Sequence, residues 1–408
     1  MLNFTVMEML EQASGWRVET FSDRSALETF IERAHAELAA SQGDRLRFVA
    51  VDHEMPNPEI LVLARRVDGH LLGLAALSLA TGPLVYSIGP LILFRWKVRK
   101  YQLYSAPISL RATGDDAFSG FFDALADAIG GGAAVFLNTI GIGSPLHQQF
   151  AKKTSAVCKR FFVLPWGAET THCAIRWDGT IETYLKSLSG KHRYDLRHRR
   201  KSLFSDPALK CEMRRFVTLQ DVERFLEDAI EISDKSYQKK LGLGITRGTD
   251  SERAIRFAAE RQCFLGHILY INDAPVAFDY AFIHGETCVM AETAYDPEWA
   301  PRQVGAVLFF ETLHDLAAHK VPVKYLDLSV HPTVFKLRTT TEHTPVQNFF
   351  LFKRNLIGAV QFFTLYATNK LTDALKRLIR HGKQYAQSSK QESQPKPAAP
   401  ESDTSATK

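Results

Sequence analysis

Residues 71–94 read LLGLAALSLATGPLVYSIGPLILF and carry no charge. A run of this length either crosses a bilayer as one helix or is buried inside a globular fold. Gly82-Pro83 and Gly89-Pro90 interrupt it twice. Proline lacks the backbone donor a continuing helix needs, and Gly-Pro pairs mark turns. The run is therefore expected as buried strands joined by turns, and a membrane-spanning helix is disfavoured. Composition agrees: 45% of residues are apolar and 23% charged, the balance of a soluble globular protein rather than a disordered, collagenous or disulfide-rich secreted chain. A length of 408 residues exceeds one ordinary core, so two domains are expected. Against 45 Asp+Glu stand 50 Lys+Arg, a formal charge of +5, which suits an anionic ligand without establishing one.

Cysteines at 158, 173, 211, 263 and 288 show no CxxC spacing. That gives no support to a zinc ribbon or thioredoxin-like site and fits reduced thiols in the cytoplasm. No metal is expected. The opening MLNFTVMEMLEQASG lacks a basic start followed by an apolar run, so no signal peptide is expected.

A faint repeat organises the body. ILVLARRVDGHLLGLAAL at 60–77 and ILYINDAPVAFDYAF at 268–282 each place two apolar-alternating strands around a tight turn. Helical segments precede both: 24–40 before the first, 221–240 and 251–262 before the second. Two similarly built lobes would explain this; chance similarity of two hairpins is the alternative. A further helical stretch is expected over 181–204, and the junction near 165–180. The expected organisation is an N-terminal lobe over 1–165, a second lobe over 166–354, a C-terminal helical region over 355–385 and a disordered tail over 386–408, where no large apolar residue offsets the entropy of ordering.

The unit at 287–329 reads strand, loop, helix, strand. Its loop, Pro301-Arg302-Gln303-Val304-Gly305-Ala306, opens directly into an apolar helix. A helix N-terminus exposes unpaired amides and the positive end of the dipole, so this loop is a candidate pyrophosphate cradle. An ordinary β-to-α turn is the alternative.

These residues carry a family resemblance. The unit resembles the coenzyme A half of the GNAT acyltransferase fold, in which a strand leads into an R/Q-x-x-G-x-G/A loop. Arg302 and Gly305 match that pattern; Val307 departs from its final small residue. A second segment, Ser189-Gly190-Lys191-His192-Arg193-Tyr194-Asp195-Leu196-Arg197-His198-Arg199-Arg200-Lys201, is similar to the entry of the second domain in the GNAT branch of cellulose and other exopolysaccharide acetyltransferases (BioF2-like domains). That branch also resembles Fem-type peptidoglycan aminoacyl transferases, which pair two GNAT lobes. Leu326-Asp327-Leu328-Ser329, followed by Phe335-Lys336, is a third matching segment.

The resemblance implies an α+β fold of two tandem GNAT-like lobes, each a mixed, mostly antiparallel sheet flanked by helices, the first lobe degenerate. It implies acyl transfer from acetyl-CoA to nitrogen or oxygen of a sugar or cell-envelope precursor. The loop Arg302, Gln303, Val304, Gly305 and Ala306 would hold the cosubstrate. Acyl transfer needs a group to take the acceptor's proton and another to stabilise the oxyanion. Glu292, in an otherwise apolar strand, is the candidate base, and Asp327 a candidate orienting group; a strand-edge ion pair and a structural hydrogen bond are their alternatives. Arg193 and Arg197 share a face with Arg200 or Lys201 at helical spacing. With Lys336 and His331 they are candidates for holding an anionic acceptor; a solvated basic face is the alternative.

Two other functions stay open. One is a Fem-type transferase using aminoacyl-tRNA; only there would nucleic acid be a partner. The other is a non-catalytic GNAT-like binding module. The apolar-then-basic stretch NLIGAVQFFTLYATNKLTDALKRLIR at 355–380 is expected to pack on the body, with peripheral contact to the inner membrane as the alternative.

Overall fold

The computed structural model describes residues 16–21, 26–27, 29–30, 60–67, 70–103, 109–110, 115–236, 239, 244–330 and 332–392. The strands are β1 (Trp16–Phe21), β2 (Ile60–Val67), β3 (His70–Ile88), β4 (Leu91–Leu103), β5 (Ser109–Leu110), β6 (Ala134–Gly141), β7 (Phe161–Arg176), β8 (Cys211–Phe216), β9 (Phe264–Ile271), β10 (Ala274–His284), β11 (Thr287–Tyr295), β12 (Tyr325–Asp327) and β13 (Glu342–Lys353). The helices are α1 (Asp115–Ala128), α2 (Pro145–Ala151), α3 (Ala156–Arg160), α4 (Ile181–Ser187), α5 (Gly190–Phe204), α6 (Leu219–Lys235), α7 (Asp250–Glu260), α8 (Val304–Ala318), α9 (Val334–Thr339) and α10 (Leu356–Glu392).

Among the described residues 13 strands join one mixed, mostly antiparallel sheet in the order β1-β2-β3-β4-β6-β13-β7-β12-β11-β10-β9-β8, with β5 beside β3. Two groups of helices pack on different parts of it. The first, α1, α2 and α3, packs over a core that includes Trp16, Phe121, Phe122, Phe161 and Leu351. The second has α6 and α7 on one face, around Phe225, Ile232, Phe257 and Phe278, and α4, α5 and α8 on the other, around Leu185, Leu196, Phe310 and Leu313.

Both expected hairpins form. β2 pairs antiparallel with β3, and β9 with β10. Asn272 and Asp273 turn the second with φ of 52° and 64°, the left-handed pair a tight two-residue turn requires and Asn and Asp tolerate. The expected helix at 24–40 lies mostly outside the described residues. The helical stretch at 181–204 divides at Leu188, because the Ser189 side chain accepts from His192 N and starts α5 afresh.

The uncharged run differs from expectation in two ways. Gly82-Pro83 does not turn: β3 runs straight through it, with Pro83 opposite Lys97 of β4. The β2 pairing ends at Ser78, so beyond that point β3 has one strand neighbour among the described residues, and a proline can occupy the open edge without breaking a ladder. The turn falls at Gly89, with φ 58°. The strand after it is not buried either, since Leu91, Ile92, Leu93 and Phe94 are exposed. Among the described residues no helix is long and apolar enough to cross a membrane.

β7 runs unbroken through residues 165 and 166, where the lobe junction was expected. β13, which follows every element of the second lobe, inserts between β6 and β7 and pairs with both. The C-terminal helix packs on the body through Leu365 and Gln361, both buried, and through Phe362 stacked on Phe162 at 5.2 Å. It continues to Glu392, past the expected start of the tail; 393–408 lie outside the described residues.

Candidate active site

The site is built where two parallel strands part. β11 and β12 pair only over Thr287–Val289 with Tyr325–Asp327. Beyond Val289, β11 keeps β10 on one side and, among the described residues, has no strand on the other. Along that stretch the register jumps: Tyr280 lies opposite Glu292, yet Ala281 lies opposite Met290. Ala291 is therefore the extra residue of a β-bulge, a device that bends a strand and re-aims its side chains. A strand edge of this kind presents backbone amides suited to a developing oxyanion.

Glu292 sits on this edge, half-buried. Its Oε2 lies 3.5 Å from the Tyr280 hydroxyl, too far for a strong hydrogen bond. Its buried Oε1 has no partner among the described residues. Burial pushes the carboxyl up to about 7, against the opposing effect of the Tyr280 hydroxyl. A carboxylate poised there can take a proton from an acceptor near neutral pH.

Asp327 stands at the fork of the two strands. Its Oδ1 is 2.7 Å from His172 Nε2 and accepts from Ser329 N at 2.7 Å. His172, on β7, carries no distinctive local pattern; only the pairing of β12 with β7 brings it here. A carboxylate fixing one ring nitrogen leaves the other set for proton transfer. Lys336, at the start of α9, donates to the carbonyl oxygens of Leu328 at 2.6 Å and Val330 at 3.2 Å. Burial lowers its pKa. Its ammonium group thus braces the loop after β12. His331 lies outside the described residues.

The cradle loop is a 3-10 turn, Pro297–Arg302, ended by Gln303 in the left-handed region at φ 54°. Gln303 O accepts from Ala306 N at 3.0 Å and Val307 N at 3.2 Å. The Val304 and Gly305 amides find no acceptor among the described residues, as at a free helix N-terminus. Gly305 also has a packing cause: an added Cβ would lie 3.1 Å from the Tyr295 ring. Val307 is buried and packs with Leu269 and Ala277, which explains its departure from the small residue of the family pattern. The Arg302 guanidinium binds Asp206 at 3.0 Å. A cavity of about 110 Å³ lies against this turn, lined by His198, Arg199, Ser202, Arg302 and Gln303 among others.

Buried polar groups fix α8 to the sheet. His267 Nδ1 is 2.9 Å from Asp279, and its Nε2 3.2 Å from Asp315. Thr312 donates to Asp279 at 2.7 Å, and Arg215 to Asp315 at 2.9 Å. Burial opposes the imidazolium, but the two carboxylates outweigh it and raise His267 to about 9.

The basic helix α5 does not act as one face. Arg200 forks onto Glu311 of α8, with Nη2 at 3.3 Å from Oε2. Arg197 lies 3.4 Å from Glu182 of α4, and Arg199 3.9 Å from Asp195. Arg193 is half-buried and has no ion-pair partner among the described residues. Tyr194, 64% exposed, stacks on His198 at 5.4 Å, so a flat aromatic pair faces solvent beside the cations.

Residues 190–337, from α5 into α9, match the family model of an Acetyltransferase (GNAT) domain. That stretch holds Glu292, Asp327 and the cradle loop, so these residues of the candidate site lie within the part of the chain that is similar to a GNAT acetyltransferase domain. Among solved structures it is similar to FemX, at 10% identity, over 83% of this chain and 98% of that one, with a TM-score of 0.52. It is also similar to the C-terminal domain of a lysylphosphatidylglycerol synthetase of Agrobacterium fabrum, at 11% identity over 85% and 96% of the two chains, TM-score 0.48. A tandem GNAT protein from the clavulanic acid pathway matches at 10% identity over 83% and 99%, TM-score 0.44. At such identities the likeness is one of fold. No curated protein sequence matches the chain. The domain match supports a GNAT fold for residues 190–337 and does not single out the exopolysaccharide branch.

Proposed function

We propose that the chain transfers an acyl group from a nucleotide-linked ester or thioester to an amine or hydroxyl of a cell-envelope or saccharide precursor. The observation that carries this is Glu292, a carboxyl raised to about 7 on the open edge of β11. In this reading the donor's carbonyl lies in the gap between β11 and β12. Glu292 accepts the proton of the acceptor's N–H or O–H as that atom attacks the carbonyl carbon. Amides along the edge of β11 hold the oxyanion, which collapses to expel the donor's thiolate or ribose oxygen. In the same reading His172, oriented by Asp327, returns a proton to the leaving group. The acceptor class rests on the resemblance to exopolysaccharide and Fem-type transferases.

Two donors fit. Charged tRNA is favoured by the FemX-like span of both lobes, by the engagement of Arg302 with Asp206, and by the solvent-facing Tyr194–His198 stack on a basic helix, since single-stranded RNA binds through cations and stacking platforms. Acetyl-CoA is favoured by the free Val304 and Gly305 amides at the N-terminus of α8, a ready anion site, and by the acetyltransferase domain match. Filter binding of labelled aminoacyl-tRNA, with uncharged tRNA and acetyl-CoA as competitors, decides between them. Retention resistant to acetyl-CoA supports charged tRNA. Calorimetric binding of acetyl-CoA with no RNA retention assigns the thioester. Absence of both sinks the acyl-transfer reading.

A further inference from the structure

The β3–β4 hairpin and helix α10 meet at an apolar surface that neither covers. Beyond Ser78, β3 has only β4 beside it among the described residues, so the hairpin projects from the sheet. At its tip Leu91 is 63% exposed, Ile92 46%, Leu93 47% and Phe94 43%. These four are consecutive, so both faces of the strand are bare; a strand on a solvated sheet would alternate. Helix α10 is fastened to this tip. The Gly89 amide donates to Thr372 Oγ1 at 3.0 Å, and that hydroxyl donates to Ser87 O at 3.2 Å. Leu371, Leu375, Leu378 and Ile379 then lie beside the tip, with Leu378 70% exposed. Residues 371, 375 and 378 share a helical face. The same stripe continues back through Phe363, Val360 and Leu356.

The polar surroundings are cationic. Residues 70–103 contain no Asp or Glu and carry Arg95, Lys97, Arg99 and Lys100. Lys370, Lys376 and Arg377 flank the exposed stripe of α10, with Asp373 the acid among them. An apolar surface this continuous is uncommon on a free monomer. Apolar side chains that enter the acyl boundary, rimmed by cations at headgroup depth, are complementary to an anionic lipid surface.

We propose that this surface seats the protein on an anionic bilayer, the hairpin tip and the α10 stripe entering the headgroup–acyl boundary and the cations meeting lipid phosphates. The seating does not depend on which donor the active site takes.

The test is sedimentation of the full chain with sucrose-loaded vesicles of phosphatidylcholine, alone or mixed with phosphatidylglycerol, beside light scattering of the chain in solution. The expected result is binding to the mixed vesicles, little to phosphatidylcholine alone, and release by added salt. Each cation near the surface contributes about fivefold to partitioning, so Lys376→Glu and Arg377→Glu should each lower it by at least that factor. Leu93→Glu with Leu378→Glu should abolish it; both positions are exposed, so thermal unfolding should match the parent. Equal binding to both vesicle types or none to either overturns the proposal. So does a dimer that Leu378→Glu returns to monomer, which would give the face to a second copy of the chain.

Discussion

Glu292→Gln separates the electrostatics of the site from its unidentified substrate. Gln keeps the shape and cannot ionise. A carboxyl raised from 4.5 to about 7 is neutral in the folded protein over a range where the unfolded chain ionises it. Its contribution to stability is therefore complete below about 4.5 and is lost as pH rises through about 7. A change of this size corresponds to about 3 kcal/mol against the folded charged form. Glu292 keeps some solvent contact, so about 2 kcal/mol is the working figure between pH 5 and 8. Urea unfolding of parent and variant at pH 5, 6, 7 and 8 measures it. The variant should gain on the parent steadily from pH 5 to 7 and level off above. Other titrating groups cancel in the difference. A difference flat with pH, or a variant that loses ground as pH rises, would refute the claim that Glu292 titrates near neutrality, and with it the assignment of the base.

Other expectations concern packing and the donor. Asp279→Asn removes one of the two carboxylates facing the buried His267 and should lower stability by about 3 kcal/mol or more, read by urea midpoint; a loss under about 1 kcal/mol would mean that the network contributes little to holding α8. Gly358→Ala puts a Cβ against the Lys353 carbonyl, so the first turn of α10 must shift. Limited proteolysis should then release the C-terminal helix faster, and unchanged cleavage would show that the turn absorbs the methyl. Under the charged-tRNA reading, Tyr194→Ala should weaken RNA retention about tenfold, the contribution of one stacked base. Retention equal to the parent would remove the Tyr194–His198 stack from the donor site.

Local patterns carried far in this sequence, and they fail where long-range register decides. The hairpins at 60–77 and 268–282 and the strand-loop-helix-strand order at 287–329 form much as their periodicity implies, because each depends on neighbours in the chain. Glu292 could be picked out as one acid in an apolar strand, although the bulge at Ala291 that aims it leaves no sequence mark. Gly82-Pro83 misled because the same dipeptide that marks a turn is tolerated on an open strand edge, and edges are a property of the sheet. The arginines of α5 looked like one face; Glu311, across on α8, draws Arg200 away. His172 carried no signal, since its partner Asp327 is remote in sequence and the two meet only through the pairing of β7 with β12. His267 was equally silent, its charge set by two acids on other elements.

The insertion of β13 between β6 and β7 has a consequence for how the protein is made. Strands β1 to β6 leave the ribosome early, but the sheet position between β6 and β7 is filled by residues 342–353, which come after the whole of the second lobe. Contacts across such separations form slowly, and partly assembled sheets expose edges that invite wrong pairing. Through most of synthesis the early strands wait with an open edge while β8 to β12 can already pair among themselves. The lobe translated first is completed last.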